Sequence, residues 1–279
     1  MGTSSSFQGP NDKSPLLPPW AYPDINDEDI KDIKGIGDNK NVIPDNKQMP
    51  DIDTPTLSNW SSAKRSMSSY SKSGNYNKLK KAGQDYIRAC GGKVGATKTA
   101  ISGRKTAIKL GGFLSNIANK GIRETFKQFF IQELIGQSIE AVISGIADKI
   151  APAGNTREES AARKAVLTAL GYLYEKYKLE EGNIEKLNSI SKDDIRDVFE
   201  CYINSYIYTR WLGDLGSRME IHSISEDKAI WLEKEVKKYV ISSVHSDFKD
   251  YDLINLDWNK AEDIIEKIYQ DAYATLEVV

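Results

Sequence analysis

Histidine and cysteine are scarce in this sequence. The 279 residues include two histidines and two cysteines. His222 and His245 are isolated from each other and from the cysteines, which argues against a histidine-based zinc site and against a Ser–His–Asp nucleophile. Cys90 and Cys201 lack the spacing of a disulfide framework or a metal site. We therefore expect both to be reduced thiols in a cytoplasmic protein.

Long apolar runs and nucleotide-binding signatures are also missing. No segment approaches the ~18–20 apolar residues that span a bilayer, and the first residues lack the pattern of a secretory signal. The stretch Gly91–Thr99 has glycines, lysines and threonines, but not the G-x-x-x-x-G-K-[ST] spacing of a phosphate loop. Asp193 and Asp194 fall at a predicted helix start, where they offset the helix dipole. We expect a protein that is not an enzyme, holds no cofactor or metal, and does not enter membranes.

Proline is almost absent after residue 55. Eight of the nine prolines fall within the first 55 residues, and their fixed φ and missing N–H oppose regular structure. The sequence therefore predicts an extended, proline-rich N-terminal arm over 1–59 and a hinge, or a weak helix, over 60–74. Within the arm, Pro15–Pro18 fits a PxxP ligand, and four apolar residues form an anchor able to dock on the body: Leu16, Leu17, Trp20 and Tyr22.

Residues 75–279 show helical periodicity and no alternating strand pattern. One helix is predicted over Tyr76–Cys90, ended by Gly91 and Gly92, and two short ones over Phe126–Leu134 and Ser138–Ile150. Further helices are predicted to start at capping residues, which are Thr156, Ser191, Ser225 and Asp257. The prediction is an all-α fold, in which a multi-helix domain follows the arm. Four aromatic residues are predicted to lie in its core rather than to stack on bases: Tyr202, Tyr206, Trp211 and Trp231.

Charge is strongly segregated along the chain. Residues 60–127 carry 15 Lys/Arg against 2 Asp/Glu, while the segments on either side are acidic. Within this region, residues 94–119 are predicted to form one helix with a face of small residues, suited to a tight helix contact inside the protein or with a partner. The opposite face is basic, with Lys98, Arg104, Lys105 and Lys109. It is either an ordinary solvated face or a site for nucleic acid or another anionic partner.

The N-terminus offers a second candidate site. Gly2 follows Met1, and removal of the methionine would leave an unhindered glycine α-amine with a pKa near ~8, partly neutral at physiological pH. The alternatives are a merely frayed terminus and N-myristoylation, whose Met-Gly-x-x-x-Ser pattern the first six residues fit.

Several of these segments resemble a known family. Three parts of the sequence carry the resemblance: the N-terminal stretch Met1–Ser6 with Gly9-Pro10 and Pro15-Leu-Leu-Pro-Pro-Trp20, the segment Gly103–Leu114, and the turn Ala151-Pro-Ala-Gly154. They resemble QatB proteins, which are components of the Qat antiphage defence systems of bacteria. The resemblance covers roughly the first 20 residues and residues 95–175.

This resemblance implies a non-enzymatic component of a defence complex. Its implied partners are a QueC-like enzyme (QatC-type), an ATPase (QatA-type) and a TatD-like nuclease (QatD-type). QueC-type enzymes activate the carboxylate of a 7-deazaguanine with ATP and pass it to an amine. The resemblance therefore implies that Gly2 is the acceptor of a 7-deazaguanine-type group and that the leader enters the partner's site through Thr3, Ser4, Ser5 and Ser6. The basic face of 94–119 remains the alternative, as a nucleic-acid-binding adaptor.

Overall fold

A computed structural model describes residues 57–179, 183–222, 225–244 and 251–278. These residues form α-helices and short 3₁₀ helices without strands, which confirms the all-α prediction for them. The α-helices are α1 Leu57–Ser73, α2 Tyr76–Ala89, α3 Gly92–Thr99, α4 Ile101–Lys120, α5 Ile122–Gln128, α6 Ile139–Ile150, α7 Arg157–Lys176, α8 Lys192–Leu215, α9 Ser217–His222, α10 Glu226–Ser243 and α11 Glu262–Val278. The 3₁₀ helices are Gln132–Leu134, Ile184–Ser189 and Trp258–Lys260. Each helix within these ranges is too short or too polar to traverse a bilayer.

Of the two alternatives predicted for residues 60–74, a hinge or a weak helix, the structure shows the helix: the segment is part of α1, apart from Gly74. Trp60, Ala63, Met67 and Tyr70 are buried, and their spacing of three and four residues places them on one face. That face packs against α2. Serine and lysine dominate the composition of the segment, and its apolar stripe is narrow. The helical body nevertheless begins at Leu57, before residue 60.

Most predicted helix starts are confirmed by their caps. Thr156 and Glu159 form a capping box at the start of α7, and Ser191 and Asp194 form another at α8. Ser138 and Ser225 cap α6 and α10.

Two predicted boundaries are wrong. Asp257 caps the 3₁₀ helix Trp258–Lys260, and α11 begins only at Glu262. The helix predicted over Phe126–Leu134 ends at Gln128, because Phe130 takes a left-handed conformation with φ 55°, which a continuing helix excludes.

Aromatic side chains join the helices in the core. Tyr86 of α2 stacks on Trp211 of α8, with ring centroids 5.8 Å apart. Trp60 of α1 and Tyr239 of α10 meet this pair edge-on. The core prediction is confirmed for Trp211, as it is for Tyr202 and Tyr206.

Trp231 is the exception among the predicted core aromatics. Its side chain is 45% exposed, because it lies on the outer side of α10, where part of its ring covers Gly74. The buried stripe of α10 runs instead through Leu232, Val236 and Val240.

Candidate functional site

The basic segment 94–119 forms two helices rather than the single helix predicted. α3 and α4 meet at Ala100, whose φ of −85° and ψ of 48° lie outside the helical region. Lys98 therefore belongs to a different helix from Lys105 and Lys109. The three lysines do not form one continuous stripe along a helix.

The four predicted basic residues have different environments. Lys98, Lys105 and Lys109 are exposed and make no ion pair with another described residue. Arg104 is mostly buried, and its Nη1 lies 2.7 Å from Oε2 of Glu266 on α11. The guanidinium of Arg104 therefore joins α4 to α11 instead of facing an external anion, so the exposed basic surface consists of the three lysines.

A carboxylate from α7 occupies the N-terminus of α4. Oε1 of Glu158 accepts a hydrogen bond from the backbone N–H of Gly103 at 2.7 Å, and Oε2 accepts one from Ser102 at 3.1 Å. The Tyr206 hydroxyl donates a third bond to Oε1, at 2.7 Å. These N–H groups have no partner inside the helix, and Ala100 has no side-chain group to cap them. Glu158 thus fills the position that a phosphate takes at other helix N-termini.

The small-residue face of this segment packs inside the protein. A Cβ atom added to Gly103 would lie 2.4 Å from the ring of Tyr206, and one added to Gly111 would lie 1.9 Å from the ring of Trp258. Aromatic rings from α8 and from the 3₁₀ helix before α11 therefore fill this face. Of the two possibilities that the sequence left open, the internal contact is the one observed.

A shallow groove of about 390 Å³ lies beside Lys109. Its polar side chains provide an ammonium, amides and a carboxylate, a set suited to ion pairing and hydrogen bonding, and Trp258 provides an aromatic wall. The lining residues, which we call the Lys109 groove, are Ile108, Lys109, Gly112, Ser115, Asn116, Phe129, Leu256, Asp257, Trp258 and Asn259.

A partly buried polar cluster lies between α2, α3 and α8, and sequence reasoning missed it. The guanidinium of Arg210 lies 6.0 Å from the ring centroid of Tyr206 and donates to Oγ1 of Thr99 at 3.3 and 3.4 Å. Tyr86 donates a hydrogen bond of 3.0 Å to Asp214. Burial raises the pKa of the Asp214 carboxyl, and the charge of Arg210 opposes that shift. The sequence signal that could have indicated this cluster is the spacing of Arg210 and Asp214, which lie four residues apart in a largely apolar part of α8.

The two cysteines are free thiols. Burial raises the pKa of Cys90 to about 12, so this thiol is held in its unreactive protonated form. Cys201 is only partly buried; burial raises the pKa of its thiol, and the nearby charge of Lys237 opposes the shift. Among the described residues, no cluster of three or more His, Cys, Asp or Glu side chains is arranged to hold a metal ion.

The N-terminal candidate site cannot be placed relative to these features. Gly2 and the leader Thr3, Ser4, Ser5 and Ser6 lie outside the described residues.

Comparison with known proteins gives one match. Residues 91–276 match the model of a protein family described as QatB, Qat anti-phage system associated protein QatB. The matched range runs from the Gly91–Gly92 turn to the last turn of α11. It covers the basic segment and all of the partly buried polar cluster except Tyr86, which belongs to α2. No curated protein and no solved structure matches the chain significantly.

Proposed function

The chain belongs to the QatB family of proteins associated with the Qat anti-phage system, and from this premise we propose that it is a scaffold and a modification substrate. In this proposal the helical body is the scaffold of a defence complex and is not an enzyme. The α-amine of Gly2 accepts a 7-deazaguanine-type group from a QueC-like partner. An ATPase and a TatD-like nuclease are the other proposed companions, and the complex acts in the cytoplasm.

The chemistry that Gly2 would supply is nucleophilic attack by a neutral amine. An α-amine has a pKa of ~8, roughly two units below that of lysine, so a larger fraction is unprotonated at neutral pH. The nitrogen attacks the activated carboxyl carbon, the activating group leaves with its electron pair, and the nitrogen loses a proton to give an amide. Glycine presents this nitrogen without a side chain, and the short side chains of Thr3–Ser6 suit entry into a narrow site.

The observation that supports the scaffold part is that three partly buried charged groups of the body bind groups on neighbouring helices. Glu158 caps α4, Arg104 pairs with Glu266, and Asp214 accepts a hydrogen bond from Tyr86. Each of these groups serves a contact between helices. This is the arrangement of a body that holds its shape and presents surfaces to partners.

Mass spectrometry tests the Gly2 proposal. The intact mass and the N-terminal peptide are measured after expression with and without the QueC-like neighbour. We expect a mass gain confined to Gly2 that requires the neighbour, is lost in Gly2→Leu and is kept in Asn11→Leu as a matched control. An unmodified Gly2 in both conditions, or a gain elsewhere on the chain, would refute the proposal.

A second candidate function is nucleic-acid binding through Lys98, Lys105 and Lys109. The specific observation in its favour is that these three exposed cations have no ion-pair partner among the described residues. Each lysine that neutralises a phosphate releases counterions, so the logarithm of affinity falls with the logarithm of salt concentration by about 0.9 per contact on duplex DNA.

Titrations at several salt concentrations test this second function. If all three lysines contact phosphates, changing them together to glutamine should reduce the salt slope by about 2.7. Arg104→Gln should leave the slope unchanged, because that guanidinium is already paired with Glu266. Binding that is absent, or equally salt-dependent in the triple variant, would remove the hypothesis.

A further inference from the structure

A second groove, distinct from the Lys109 groove, lies between α7, α8 and α10. It has a volume of about 520 Å³, within the range of ligand sites. Its floor is one face of α8, and α7 and α10 form its two walls. We call it the α8 groove; it is lined by Thr168, Tyr172, Asp197, Glu200, Cys201, Asn204, Ser205, Tyr208, Lys237 and Ile241.

The walls of the α8 groove are mainly apolar. Tyr172 and Tyr208 provide aromatic surface on the α7 and α8 sides, and Ile241 on α10 is 45% exposed. Of the two carboxylates, Asp197 accepts bonds from Tyr172 and Lys176, and Glu200 also has a partner. The exposed groups left for a ligand are therefore apolar and aromatic surfaces and one cation.

The floor of the groove contains an unused polar group. Asn204 is 6% exposed, and its Oδ1 accepts no hydrogen bond from the described residues. Buried polar atoms normally have a partner. Rotation about χ2 of asparagine is broad, so the amide of Asn204 can turn toward the groove and accept a bond from an N–H donor there.

We propose that the α8 groove binds residues Pro15–Trp20 of this same chain in an extended, polyproline-type conformation. Aromatic-lined grooves are the established binding surface for PxxP segments, and Pro15-Leu-Leu-Pro18 is such a segment. The three prolines of this stretch carry no N–H, while Leu16, Leu17 and Trp20 retain one each. One of these N–H groups is the donor for Asn204, and the leucine and tryptophan side chains cover the apolar walls.

The dimensions of the groove and the segment agree. The floor from Asp197 to Tyr208 extends over eleven residues of α8, or about 16 Å at 1.5 Å per residue. The five residue steps from Pro15 to Trp20 span about 16 Å in a polyproline helix, at about 3.1 Å per step. From Tyr22 to Leu57 the chain can extend to about 120 Å, which does not limit access to any face of the body. Pro15 is thirteen residues from Gly2, so docking leaves the amine a reach of about 43 Å.

Charge is the second argument for this occupant. Residues 14–23 carry no charged side chain, which suits the apolar walls. The stretch that follows, Asp24–Asp32, carries five acidic side chains and one lysine. Lys237 lines the groove and makes no ion pair with another described residue. It is positioned to meet that acidic stretch as the chain leaves the groove.

Disulfide trapping in the full-length chain tests the proposal, because Cys201 lines the groove and Cys90 is buried. Leu17→Cys is introduced, the protein is treated with oxidised glutathione, and peptide mapping measures the disulfide to Cys201. The control is Asn39→Cys, which is closer to the body along the chain and so meets Cys201 more often by random encounter. We expect at least ten-fold more cross-link from Leu17→Cys than from Asn39→Cys.

A groove variant checks that the cross-link reports docking. Ile241→Glu places a charge on an exposed wall position and should reduce the Leu17→Cys cross-link at least five-fold. The reaction of Cys201 with a small thiol reagent should remain unchanged. Equal cross-linking from Leu17→Cys and Asn39→Cys would overturn the proposal. So would a disulfide formed mainly between two chains and lost on dilution, because the occupant would then be a second copy.

Discussion

Removal of the Glu158 carboxylate should destabilise the body more than a surface substitution does. Glu158 accepts two backbone bonds at the start of α4 and one from the buried Tyr206 hydroxyl. Loss of a helix cap costs about 1 kcal/mol, and an unsatisfied buried hydroxyl costs a further ~1–3 kcal/mol. We therefore expect Glu158→Ala to lower the free energy of unfolding by about 3 kcal/mol, equivalent to a fall in Tm of roughly 6–12 °C.

A double-mutant cycle separates the two parts of this effect. Tyr206→Phe alone should cost about 1.5–3 kcal/mol, since one hydrogen bond to a charged group is lost. In the Glu158→Ala background the same change should cost much less, because the hydroxyl no longer has its acceptor. Urea unfolding followed by circular dichroism measures all four proteins. A Glu158→Ala variant within 0.5 kcal/mol of the parent, or strictly additive effects, would contradict the capping interpretation.

Three further predictions follow from the packing, the caps and the thiols. Gly111→Ala should destabilise by about 2 kcal/mol or more, because overpacking against an aromatic ring outweighs the gain in helix propensity. Gly171→Ala, with open space around it, should stabilise by up to about 1 kcal/mol in the same thermal melts. Burial opposes ionisation of Asp194, but hydrogen bonds from Lys176, Ser191 and Tyr177 hold its pKa well below its ordinary value. The stability contributed by its carboxylate is therefore present above about pH 4 and is lost as pH falls below it, so Asp194→Asn should flatten the acid limb of a stability–pH profile. In the native protein, Cys201 should react with a thiol reagent while Cys90 reacts only after unfolding; equal rates would contradict the burial described here.

Local signals in the sequence were sufficient to predict much of the fold. Capping residues such as Thr156 and Ser191 act on N–H groups three residues away, so sequence alone reveals them. The periodicity of buried residues in α8 is equally local.

The errors arise where distant residues decide the structure. At the break after Ala100, the first N–H groups of α4 are capped by Glu158, which lies 58 residues after Ala100 and belongs to α7. From the sequence, Arg104 was a candidate contact for an external anion. The fold instead brings Glu266 of α11 next to its guanidinium. The short apolar stripe of α1, with Trp60 and Tyr70, is buried because α2 and α10 contact it. Those contacts cannot be read from the local sequence of α1. For the candidate site, the sequence identified the exposed lysines, but not the charged groups that the fold pairs inside.

The contacts that fill the small-residue face of α4 also determine when during synthesis that face can become buried. Gly111 is covered by Trp258, which the ribosome adds 147 residues later, or after about 7–30 s at ordinary synthesis rates. During that interval the surface of α4 around Gly111 lacks the Trp258 ring that covers it in the folded protein. Such long sequence separations slow folding and leave apolar surface open to the wrong neighbour. The newly made chain therefore exposes this part of α4 until the last helices emerge.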